Sequence, residues 1–102
     1  MKNYIGKKVI IRADRAGVFF GELKSVEPLG DKLMVELQNC RRLWRWDGAC
    51  SLSQLAKEGT KKPDGCKFSV SINSIVISGV IEILLCTSEA INSIEGVSEW
   101  KI

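Results

Sequence analysis

Hydrophobic and polar positions alternate along most of this chain, and the alternation predicts short strands. Lys7–Ala13 (Lys-Lys-Val-Ile-Ile-Arg-Ala) is β-branched and reads as a first strand, closed by a turn at Asp14-Arg15-Ala16-Gly17. Val18–Val26 is a second strand. Gly21 inside it signals a bulge or a close backbone approach. Glu27–Asp31 carries Pro28 and Gly30 and predicts a turn. Lys32–Gln38 then sets Leu33, Val35 and Leu37 against Lys32, Met34, Glu36 and Gln38, as a half-buried antiparallel strand does. Asn39-Cys40 reads as a tight turn into one more strand that ends at Asp47-Gly48. Ser51 and Gln54 have capping-box spacing, so a two-turn helix is expected from there to Gly59. Phe68–Ile72 alternates again, and Ser74–Cys86 reads as two buried strand pieces broken near Gly79. Ser88–Glu95 has Ala90, Ile91 and Ile94 at helical spacing, with Ser88 as cap and Gly96 as stop. Trp100, in the tail, is expected to dock. The sum is a mainly β (α+β) single domain, residues 1–102. The expected architecture is a small antiparallel barrel or strongly curled sheet of six to seven strands with two short helices.

Composition narrows the chemistry. Net charge is +3, from 15 Lys+Arg against 12 Asp+Glu, a small excess for a binder of nucleic-acid polymers. There is no histidine, which removes the commonest general base and metal ligand. The four cysteines, Cys40, Cys50, Cys66 and Cys86, form no C-x-x-C pair, so neither zinc nor any other metal or cofactor is expected. The acidic residues on strands and turns are scattered singly. No reaction is supported, and a binding protein is expected rather than an enzyme. Met1-Lys2-Asn3-Tyr4 leads straight into the first strand with no signal peptide, and no apolar run approaches the roughly 18 residues of a spanning helix. A cytoplasmic location, reduced cysteines and no membrane partner are the expectations.

Candidate chemistry concentrates between Asn39 and Leu52. Three arginines and two of the three tryptophans fall there within six positions. As a strand, this stretch puts Arg42, Trp44 and Trp46 on one face and Arg41, Leu43 and Arg45 on the other. Guanidinium forks grip phosphate, and an indole face stacks on a base. Arg41, Arg42 and Arg45 are therefore candidate phosphate ligands, and Trp44 or Trp46 a base platform. Ser51 and Ser53, at the following helix start, and Lys61 and Lys62, in a loop able to close over a ligand, are further anion contacts. Competing readings use the same residues. They are a small barrel that binds RNA or single-stranded nucleic acid, and an interaction module in which the Arg/Trp strand is an oligomer interface.

Three stretches carry a family resemblance: Cys40–Leu52 (Cys-Arg-Arg-x-Trp-x-Trp-x-Gly-Ala-x-Ser-Leu), Val9–Gly21 (Val-Ile-Ile-Arg-x-x-x-Ala-Gly-Val-Phe-x-Gly) and the Ile-Glu-Ile core at Ile81–Ile83. Together they resemble a family of short phage and prophage proteins of unknown function. Cys40 stands where that pattern has Ala. The resemblance extends to phage "sponges", oligomers that sequester the cyclic nucleotides used as alarm signals by bacterial defence systems such as CBASS. It implies a homo-oligomer, a dimer or tetramer, that holds a cyclic dinucleotide or another small cyclic nucleotide without hydrolysing it.

Overall fold

The computed structural model describes residues 2–102. The protein is mainly β, with five strands in a single sheet and two short helices. The strands are β1 (Lys8–Ala13), β2 (Gly17–Leu29), β3 (Lys32–Arg45), β4 (Lys67–Phe68) and β5 (Ile72–Leu85). All their pairings are antiparallel. β1 pairs with β2, β2 with β3, β3 with β5, and β5 with β1. The sheet thus curls until four strands close a ring, while β4 hangs on the end of β3.

Fewer and longer strands form than the six or seven expected from alternation. The anticipated turn at Asn39-Cys40 is a bulge inside β3. Phe20 pairs with Arg41 and Glu22 with Gln38, so the two residues Asn39 and Cys40 oppose Gly21 alone. Asn39 takes a left-handed φ of 49° to absorb the extra residue. Gly21 is required opposite it, because a Cβ there would lie 2.8 Å from the Cβ of Cys40. Gly79, at φ +73°, bends β5 without ending it. Before this bend the strand pairs with β3, and after it with β1. The expected Phe68–Ile72 strand does not form as one: Phe68 ends the two-residue β4, Ile72 opens β5, and residues 69–71 belong to neither. β2 runs through Pro28 to Leu29, which leaves a tight turn at Gly30-Asp31.

Curling gives the sheet two apolar layers. Val9, Ile11, Phe19, Leu23, Val35, Leu37, Cys40, Ile77 and Val80 fill the inside of the ring. Ile10, Phe20, Leu43 and Phe68 face outward and are covered by Leu55, Ala56, Ala90 and Ile94 of the helices, with Val97 of the tail. Alternation along β1 therefore buries Val9 and Ile11 in one layer and Ile10 in the other. The two helices are α1 (Leu52–Glu58) and α2 (Ser88–Glu95). Ser51 caps α1 by accepting from the Gln54 N–H at 3.1 Å, and the Gln54 side chain accepts from the Cys50 N–H at 2.7 Å. Gly59 closes α1. The α2 cap is Thr87, one residue earlier than expected, and its hydroxyl accepts from the Ala90 N–H. The tail docks through its backbone. The Trp100 N–H donates to the Phe68 carbonyl at 2.8 Å, while the ring stays half exposed beneath the Lys67 ammonium. No helix among the described residues is long and apolar enough to cross a membrane.

Candidate functional site

The bulge at Asn39 determines where each arginine of β3 goes. Ahead of it, Leu33, Val35 and Leu37 face the ring interior. Past it, Cys40 faces the interior. Arg41 and Leu43 consequently fall on the helix side, and Arg42 and Trp44 on the open side.

Arg41 is only 6% exposed. Its Nε donates to the Ser69 carbonyl at 3.0 Å. Its Nη1 donates to the carbonyls of Ile94 (3.1 Å) and Val97 (2.9 Å), and Nη2 to that of Phe68 (3.2 Å). The guanidinium also lies over the Phe68 ring at 5.4 Å. Burial lowers the Arg41 pKa, and the Glu99 carboxylate opposes that shift. Four carbonyls at the end of α2 and around β4 thus take most of its donors. Arg41, expected as a phosphate ligand, is instead the tie that fastens the tail and β4 to the sheet.

Arg42 is exposed and lies over the ring of the buried Phe19 at 4.8 Å, capping the open end of the interior. Its charge has one visible effect. Burial pushes the Cys40 thiol up to about 11, and Arg42 partly opposes that rise. Trp44 is 71% exposed, whereas Trp46 is half-buried against the layer under the helices. With Val18, Leu43 and the turn residues Arg15, Ala16 and Gly17, these three side chains line an open cleft of about 390 Å³. No carboxylate lines the cleft, and among the described residues neither Arg15 nor Arg42 has an ion-pair partner. Two guanidiniums without an ion-pair partner among the described residues therefore share a largely apolar cleft with an exposed indole.

Arg15 was not among the residues expected from the sequence, because the Asp-Arg-Ala-Gly stretch reads as a turn. Its φ of 71° is unusual for a long side chain, and the folded turn aims it at the same cleft. The one available signal was a bulky cation in a turn between strands.

The remaining expected residues lie elsewhere. Arg45 sits opposite Lys67 and does not line the cleft. Ser51 uses its hydroxyl in the α1 cap, Ser53 is exposed on that seven-residue helix, and neither reaches the cleft. The helix start is thus no phosphate cradle for it. Lys61 pairs with Glu58 at 3.8 Å, and Lys62 points into solvent. Their loop, expected to close over a ligand, is pinned. The Thr60 hydroxyl donates to the Asp47 carbonyl, the Thr60 N–H to Ser93 Oγ at 2.9 Å, and the Lys61 N–H to the Gly48 carbonyl at 3.4 Å. Cys66 Sγ accepts from the Asp47 N–H at 3.4 Å.

The fold and cleft define a curled antiparallel sheet protein that presents paired arginines and an indole to solvent. The chain belongs to the DUF6948 family, a domain of unknown function whose model matches residues 6–94. No curated protein and no solved structure matches it.

Proposed function

We propose that this protein binds a small cyclic nucleotide without turning it over, and that it acts as a phage-encoded sponge for a defence signal in the host cytoplasm. One observation carries the reading: Arg15, Arg42 and the exposed Trp44 share a single cleft with no carboxylate in it. Its volume of about 390 Å³ is near the lower end of ligand pockets, the size for one nucleotide unit. The phage assignment rests on the family resemblance of Cys40–Leu52 and its companion stretches.

Magnitudes favour an oligomer. Two guanidinium–phosphate bonds at about 1.5–3 kcal/mol each and one stack at about 1–3 kcal/mol offer a gross gain of about 4–9 kcal/mol. Association alone costs about 4 kcal/mol or more. A single cleft is therefore a weak binder. Low-nanomolar capture, about −12 kcal/mol, calls for two clefts on one ligand, which a cyclic dinucleotide and a twofold homo-oligomer supply together.

The test is a panel of cyclic dinucleotides and trinucleotides, then short oligonucleotides, read by thermal shift and by quenching of indole fluorescence. The expected result is a shift with a cyclic nucleotide that is recovered intact after heat release. Affinity that grows with oligonucleotide length and collapses with salt would overturn the reading in favour of a single-strand binder. No shift with either ligand class would leave the interaction module standing.

A further inference from the structure

The first half of β5 has a free edge. From Ile72 to Val80 the strand bonds to β3 on one side, and β1 reaches it on the other side only from Val80 onward. At that junction the Asp14 N–H already occupies the Gly79 carbonyl, at 2.7 Å. Between Asn73 and Ser78, the backbone groups on the β1 side have no partner among the described residues. Proteins usually protect such an edge with charge, proline or a covering segment. This chain does so elsewhere: the free edge of β2 beyond Leu23 carries Lys24, Glu27 and Pro28, and β4 is covered by the tail through its pairing with Glu99. On β5 there is no such protection, since no charged residue occurs from Phe68 to Ile81. Val76, at 61% exposure, stands out from the middle of this edge.

The sequence of the edge singles out its occupant. Ser74-Ile75-Val76-Ile77-Ser78 reads the same in both directions. In an antiparallel pairing about a twofold axis through Val76, each residue meets its own kind: Val76 faces Val76, Ser74 faces Ser78, and Ile75 faces Ile77. A strand from another protein has no such reason to match. β-Branched cross-strand pairs and facing hydroxyls are favourable, and no like charges meet. The charges beside this edge lie off the Val76 axis: the Glu36 carboxylate on β3 accepts from the Ser74 hydroxyl at 3.1 Å one strand back from the seam, and Asp14, Arg15 and Lys32 gather at the Ser78–Gly79 end. The pairing is isologous, so it uses up both edges and stops at two chains.

We infer that this protein forms a twofold dimer by antiparallel pairing of the β5 edge of one chain with the same edge of a second copy, centred on Val76. This stands apart from the ligand reading, and its test needs no ligand. Sedimentation velocity over a concentration series should give twice the chain mass of 11.3 kDa at the top of the series and approach 11.3 kDa on dilution. Val76→Lys opposes two ammonium groups at the axis and should give a folded monomer at every concentration, by sedimentation and circular dichroism. Val76→Cys, made on a Cys50→Ser background to remove the exposed thiol, should form an interchain disulfide under mild oxidation. Ser98→Cys on that background should form none. A wild-type chain that stays at 11.3 kDa throughout overturns the inference. So does a dimer that survives Val76→Lys, or a Val76→Cys chain that cross-links no better than Ser98→Cys.

Discussion

Arg41 and Arg42 are consecutive, chemically identical and oppositely employed. The region around Arg41 is closed: four backbone carbonyls from α2, β4 and the tail converge on one buried guanidinium. The region around Arg42 is open: its guanidinium lies over an aromatic ring and lines one cleft with a second arginine that has no ion-pair partner among the described residues and with an exposed indole. The difference lies in what each side chain leaves unsatisfied. Arg41 has little left to offer a ligand and much to lose from the fold. Arg42 has the reverse, since an exposed cation over a ring contributes only about 0.5–1 kcal/mol.

The largest effect should come from breaking the closed side. Arg41→Ala removes the guanidinium donors from four carbonyls, of which those of Phe68 and Ile94 keep the Trp100 and Val97 N–H groups. It is expected to cost about 3–5 kcal/mol in urea unfolding, through lost charge-assisted bonds and the carbonyls of Ser69 and Val97 left without that donor. A loss under about 1 kcal/mol would mean that the tie is dispensable. Next, Arg42→Ala should leave stability within about 1 kcal/mol and weaken cyclic-nucleotide binding about 10- to 100-fold, the worth of one guanidinium–phosphate bond. Equal damage to fold and binding would erase the contrast between the two arginines. Trp44→Ala should follow at about 5- to 100-fold weaker binding with an unchanged melting temperature, the value of one stack, whereas Trp46→Ala should chiefly lower stability.

The smallest effect links the two regions. Burial pushes the thiol of Cys40 up to about 11 and that of Cys86 to about 12, so each is held neutral by the fold and ionises first in the unfolded chain. Their contribution to stability is complete below about pH 9 and declines as pH rises toward those values. A Cys40→Ala, Cys86→Ala double variant should flatten that part of the thermal-unfolding profile. Because Arg42 holds the Cys40 value down, Arg42→Ala should carry the decline to higher pH.

How much of this was legible follows from the range of each interaction. The capping box at Ser51 and Gln54, the stop at Gly59 and the span of α2 are local, and the chain states them; Gly21 announced a bulge or close approach, but what approaches it, Cys40, comes from the neighbouring strand. Alternation also separated Arg41 and Leu43 from Arg42 and Trp44. It did not say which face is covered, because the cover comes from Ile94 and Val97, more than fifty residues away. Strand count was overestimated because a bulge at Asn39 and a bend at Gly79 look like chain reversals when read locally. Lys61 and Lys62 looked available because the bonds that pin their loop come from Asp47, Gly48 and Ser93. Arg15 was missed because a turn residue acquires its direction only when β1 and β2 pair.

The extra residue at Asn39 acts as a phase shifter. Because Asn39 and Cys40 share one position opposite Gly21, deleting Asn39 would leave Leu37 and Cys40 two apart in a regular ladder, and Arg41 and Arg42 would keep their sides. Drawing Asn39 into the ladder as an ordinary paired residue is the change that inverts β3: Cys40 would turn outward, Arg42 under the helices and Arg41 to the open side, so the anchorage of the tail and the cleft would be lost together. The left-handed backbone of one asparagine thus sets the facing of both arginines.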